Sequence, residues 1–142
     1  MNAHFKDRVQ TVLTSSGLGE LRFVEGEDSE AFGDSLVVFE KGPMIFRAVR
    51  DRGQVFADFG AVRDPGTWFD ASIVAQRLAI ELDPRIGSDD EYGAIDAMSS
   101  FIRQNLAQLL SLFAPEHYSR TKWELSELEK RAAGQRFGPS QS

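Results

Sequence analysis

The chain contains no cysteine. That excludes disulfide frameworks, thiolate zinc sites, iron–sulfur clusters and thiol nucleophiles together, and it fits a reducing compartment. No apolar run approaches the roughly 20 residues that span a bilayer. Met1 to Asp7 carries no apolar signal-peptide core, so a cytoplasmic protein with no membrane partner is expected. Histidine is scarce. His4 and His117 are far apart and belong to no H-x-x-x-H or H-E-x-x-H spacing. There is no G-x-S-x-G elbow and no Walker A loop. Gly17-Leu18-Gly19 lacks the preceding strand and following helix of a dinucleotide loop. No catalytic residue, cofactor or metal is therefore expected.

What is abundant is acid. The net charge is −6, distributed as −4 over 1–35, +1 over 36–60, −5 over 61–96 and +2 over 97–142. Two clusters carry it: Glu25, Glu27, Asp28, Glu30 and Asp34, then Glu81, Asp83, Asp89, Asp90, Glu91 and Asp96. A chain of this sign is a poor ligand for phosphate backbones, so no nucleic-acid partner is expected. Solvated loops that aid solubility explain most of such acid; attraction to a basic protein is the functional alternative. Neither cluster has EF-hand ligand spacing.

With 142 residues, one domain is expected over 1–137, with a polar tail over 138–142. The fold is legible chiefly from Leu36 to Gly60. Three runs rich in β-branched and aromatic residues are broken by Lys41-Gly42-Pro43 and Asp51-Arg52-Gly53, the pattern of a three-stranded antiparallel meander. Leu21 to Glu25 could add a fourth strand, with Gly26 to Gly33 as a loop or poorly paired edge. The second hairpin admits two registers. A two-residue Arg52-Gly53 turn sets Arg47 opposite Asp58 but puts Arg52 at positive φ. A three-residue loop with a bulge puts only Gly53 there, and sets Arg47 opposite Ala57. Backbone sterics favour the second.

Phe5, Val9, Val12 and Leu13 mark an N-terminal amphipathic helix. Thr67 is placed to cap a second helix that continues through Ile73, Val74, Leu78 and Leu82, until Asp83-Pro84 stops it. Ser88-Asp89-Asp90-Glu91 reads as a capping box for a third, whose stripe runs Ile95, Met98, Ile102, Leu106, Leu109 and Phe113. A last helix follows Pro115 through Tyr118, Leu125, Leu128 and Ala132, expected to form an antiparallel hairpin with the third. The order predicts an α+β domain: an N-terminal helix, a three- to four-stranded antiparallel meander sheet, and three C-terminal helices packed mainly on one face.

The strands of the meander mix large apolar groups with charge on both faces. One face must meet the helices; the other is either partly covered or a place where a partner lands. Arg47, Arg50, Asp51, Arg52, Phe56 and Asp58 are the candidate partner-binding residues there. Arg suits such a role through its planar fork. Charges of this kind also guard strands against aggregation. Trp123, on the polar side of the last helix, is a candidate interface anchor. Trp68 reads as cover for the core edge.

At Val49 to Val55, Trp68-Phe69-Asp70 and Phe113 to Tyr118 with Thr121, the chain resembles small bacterial proteins, some of them grouped with toxin-immunity proteins. The resemblance implies a non-enzymatic protein that occludes a basic toxin, and it carries over no site residues. Two other readings stand beside it: a small-molecule binder or enzyme using Arg47, Arg50 and Asp58, and a homodimer through the same sheet face.

Overall fold

The computed structural model describes residues 5–29 and 34–137. Asn2, the expected cap of the first helix, His4, the 30–33 segment and the 138–142 tail lie outside them. The chain forms α1 (Phe5–Thr14), β1 (Arg22–Ser29), β2 (Asp34–Lys41), β3 (Met44–Asp51), β4 (Gln54–Ala61), β5 (Phe69–Asp70), α2 (Ala71–Leu78), α3 (Glu91–Gln104), α4 (Leu106–Leu112) and α5 (Tyr118–Phe137). It is an α+β fold with one antiparallel sheet in meander order β1-β2-β3-β4-β5. Among the described residues five strands replace the expected three or four. Arg22 to Ser29 pairs with β2 apart from Val24, where only Leu21 to Glu25 is expected as strand, and the short β5 closes onto β4.

Register follows from one rung. Phe23, Phe39, Phe46, Phe59 and Phe69 sit opposite one another across all five strands. Neighbouring rings lie 6.0, 5.6 and 6.2 Å apart from Phe23 to Phe59, and Phe101 of α3 packs 5.6 Å from Phe59. Such pairs stabilise a sheet beyond their area. This rung, with Val37, Ala48 and Ala57, makes the inner face, and α1, α2 and α3 supply its cover. In α1, Phe5, Val9 and Leu13 at i, i+4 and i+8 bury one stripe.

The same rung corrects the hairpin. Asp51 pairs with Gln54 and Arg47 with Asp58, so the loop is the two-residue Arg52-Gly53 turn, not the bulged one. Arg52 has φ 55° and Gly53 φ 85°, the two positive values a type I′ turn requires. A one-residue slip would turn Phe59, Ala57 and Val55 out of the core. Burial of those side chains outweighs the roughly 1–2 kcal/mol of a left-handed Arg.

Helix limits also differ from expectation. Asp70, not Thr67, caps α2: its Oδ2 accepts the Ser72 N–H at 2.8 Å. The helix ends at Leu78 through a left-handed Ala79, well before Asp83-Pro84. The freed segment turns back along β4, where the Gly87 N–H donates to the Val55 carbonyl at 2.5 Å and the Val55 N–H to the Ser88 carbonyl at 2.9 Å. Asp90, two residues past Ser88, caps α3 by accepting the Gly93 N–H at 3.0 Å. The long third helix is broken in two. Asn105 has φ −122°, and its side-chain amide donates to the Phe101 carbonyl at 2.9 Å, competing with the helical ladder. Among the described residues four helices therefore follow the sheet, not three. The expected hairpin is absent too: α5 packs chiefly against α2.

Candidate protein-binding face

Because opposed residues share a face, the register assigns the outer side of the sheet in three rungs. Arg22, Glu40, Ile45 and Gly60 form one; Glu25, Val38, Arg47, Asp58 and Asp70 the next; Glu27, Leu36, Val49 and Phe56 the third. Val38 and Ile45 are buried yet stand outside the main core, so this face carries an apolar layer of its own. Gly60 admits the chain that follows β4. A Cβ there would lie 2.6 Å from the Thr67 carbonyl oxygen, so only glycine lets the loop cross close over the sheet.

That crossing delivers Trp68 to the centre of the face. The Arg47 guanidinium carbon lies 4.3 Å from the centre of the Trp68 ring, and Arg47 Nε donates to Asp58 Oδ2 at 2.9 Å. The pair is mostly shielded, with side chains 28% and 16% exposed. Cation–π contact of this kind contributes about 0.5–2 kcal/mol, more as water is excluded. Among the described residues the Arg47 guanidinium hydrogen-bonds through Nε alone. Burial pushes the Asp58 carboxyl above its ordinary value; the bond and charge of Arg47 oppose this, and the charge of Asp70 adds to it. Glu129 of α5 is raised in the same way, by burial and then Asp70.

Of the expected binding residues, Arg47, Asp58 and Phe56 meet here. Asp51 and Arg52 are exposed at the hairpin end. Arg50 does not belong. It projects from the inner face, where Nη1 meets Glu91 Oε1 at 2.9 Å, Nη2 donates to Ser35 Oγ at 2.9 Å, and its guanidinium lies 5.2 Å from the Phe5 ring centre. Arg8 pairs with the other Glu91 oxygen, so these charges bind α1, β2, β3 and α3 together. A site built on Arg47, Arg50 and Asp58 at once is thus split by the sheet. Trp123 is 66% exposed on α5 and lines a groove with Gln76, Arg77 and Leu128, apart from the sheet rungs.

The sequence reading missed Trp68 as a site residue, and with it Leu36, Val38, Ile45, Val49 and Asp70. The signal for Trp68 lay in the turn chemistry of Asp64-Pro65-Gly66, which returns the chain to β4. The second acidic cluster has structural uses: Asp83 pairs with Arg85 at 2.8 Å, Asp90 caps α3, and Glu91 holds Arg8 and Arg50. Among the described residues no three His, Asp or Glu side chains converge as a metal-binding group. His117 is exposed, with Nδ1 2.9 Å from the Ser111 carbonyl at the end of α4. No described helix is long and apolar enough to cross a membrane. Comparison with known proteins finds no matching family model, no similar curated protein and no similar solved structure.

Proposed function

We propose that this chain is a non-enzymatic protein-binding domain whose outer sheet face docks a basic partner, in the manner of an immunity protein occluding a toxin. One observation carries the reading: Arg47 stacked on Trp68 amid Val38, Ile45, Val49 and Phe56. Trp and Arg ringed by apolar groups and a charged rim are the anatomy of an interface hot spot. The rim supplies the sign of the partner. Around that pair Glu25, Glu40 and Asp70 outnumber Arg22, and the chain as a whole carries −6.

Protection of cells is the test. Cells making this chain should survive a toxin encoded beside its gene, and a Val49→Lys/Phe56→Glu variant, still folded by circular dichroism, should not protect them. Failure of the folded native chain to bind or protect removes the immunity role. Protection that survives the double variant removes the outer face. A mass that doubles with concentration and returns to that of one chain in the variant would instead assign the face to a second copy.

A further inference from the structure

The two edges of the sheet are unlike. On one side β4 is covered by β5 at Asp58 and Phe59 and by Gly87 and Ser88 at Val55. On the other, β1 runs eight residues, and among the described residues no strand pairs with its far edge. An uncovered edge offers a row of backbone donors and acceptors. A register shift between Phe23 and Glu25 disturbs only its start; Glu25 to Ser29 is regular. The phenylalanine rung ends at this edge, with Phe23 45% and Val24 39% exposed, in a protein that buries its other inner-rung rings. Glu25 and Glu27 occupy successive outer-rung positions of the same strand.

We propose that β1 accepts an extended basic segment of a partner protein as a sixth strand. The incoming strand would pair along Arg22–Ser29, an apolar side chain continuing the inner rung beyond Phe23 and basic ones at the positions opposite Glu25 and Glu27. A second copy of β1 is the wrong occupant, because it would set acid against acid. The inference rests on the protein-binding reading; it shares the outer-rung positions of β1 with the outer face but uses none of Arg47, Trp68, Val49 or Phe56.

The probe is a short capped peptide of alternating lysine and valine. It should bind the full chain and slow amide hydrogen exchange within Arg22–Ser29, the strand whose outward amides are otherwise open. Binding should weaken at least tenfold for Glu25→Lys/Glu27→Lys and for the same peptide N-methylated at every backbone nitrogen, which keeps the charge but removes every backbone donor. A glutamate–valine peptide should not bind. Val49→Lys/Phe56→Glu should leave binding of the lysine peptide within twofold, which separates this edge from the outer face. Absence of binding, equal binding of the N-methylated peptide or of the Glu25/Glu27 variant, or protection on other strands would overturn the proposal.

Discussion

The Arg47 guanidinium lies 4.3 Å from the centre of the Trp68 ring, although neither residue's strand or loop specifies the other. Arg47 comes from the middle of β3, and Trp68 arrives by a loop that crosses Gly60. The contact sets a cation over an aromatic face beside a shielded carboxylate. Each partner in it can be removed separately.

Arg47→Met should destabilise the protein by about 1–3 kcal/mol, because it leaves the shielded Asp58 carboxylate without its donor. Adding Asp58→Asn should recover much of that loss. Burial already raises Asp58 above its ordinary 3.8. Its charge therefore weakens the fold as pH rises from that value through the folded pKa. Without Arg47 the pKa rises further, so the deficit should be larger near neutral pH than near pH 4. Urea unfolding at the two pH values measures this; a deficit independent of pH, or no recovery in the double variant, would contradict it.

Gly60→Ala should cost about 1–3 kcal/mol, as overpacking against backbone does. The new methyl would meet the Thr67 carbonyl oxygen at 2.6 Å, and the loop must move away. Trp68 moves with it, so its emission should shift. The shift is best read in a Trp123→Phe background, since Trp123 is exposed and its loss is structurally mild. An unchanged unfolding midpoint and spectrum would mean that the loop does not bear on the sheet.

Tyr118 donates its hydroxyl to Asp64 Oδ2 at 2.6 Å, and Lys122 Nζ meets the same oxygen at 3.0 Å. Tyr118's bond, then that of Lys122, lowers the Asp64 pKa below 3.8. That contribution is present above 3.8 and is lost as pH falls through the folded value. Burial, then Asp64, raises Tyr118 above its ordinary 10.0, so stability is lost as pH climbs past 10.0. Tyr118→Phe should make the acid limb of a stability–pH curve shallower and abolish the tyrosine part of the alkaline limb. An alkaline limb identical to the native one would count against the pairing.

Arg52→Asn should raise stability by up to about 1 kcal/mol, because Asn tolerates the left-handed conformation of a type I′ turn. The native Arg52 has φ 55°. Thermal unfolding decides it: a lower midpoint would mean that Arg52's own side-chain contacts outweigh the backbone strain.

Local patterns made the elements legible. Phe5, Val9 and Leu13 declare α1 by spacing, and the Gly42-Pro43 and Arg52-Gly53 turns declare the meander. Arg47 and Asp58 were legible as a cross-strand pair in one of two registers. The sterics of a single Arg pointed to the other register, because a one-residue argument cannot see five phenylalanines that must align across strands. The break at Asn105 was hidden for a related reason: its hydrophobic stripe runs on unbroken while one side chain competes for the Phe101 carbonyl.

Hydrophobic period and turn chemistry are properties of neighbouring residues, so the sequence by itself determined an α+β chain with an antiparallel meander and an acidic balance. Which charges share a face was decided only by the tertiary structure. Arg47 and Arg50 are three residues apart, yet strand alternation sends one to Trp68 and the other to Glu91. The partner of α5 was settled in the same way. That helix packs chiefly against α2 rather than against its chain neighbour α4, and its Leu125 is buried in the core. Such choices depend on the total area buried by distant elements together, a quantity that no local window of residues contains.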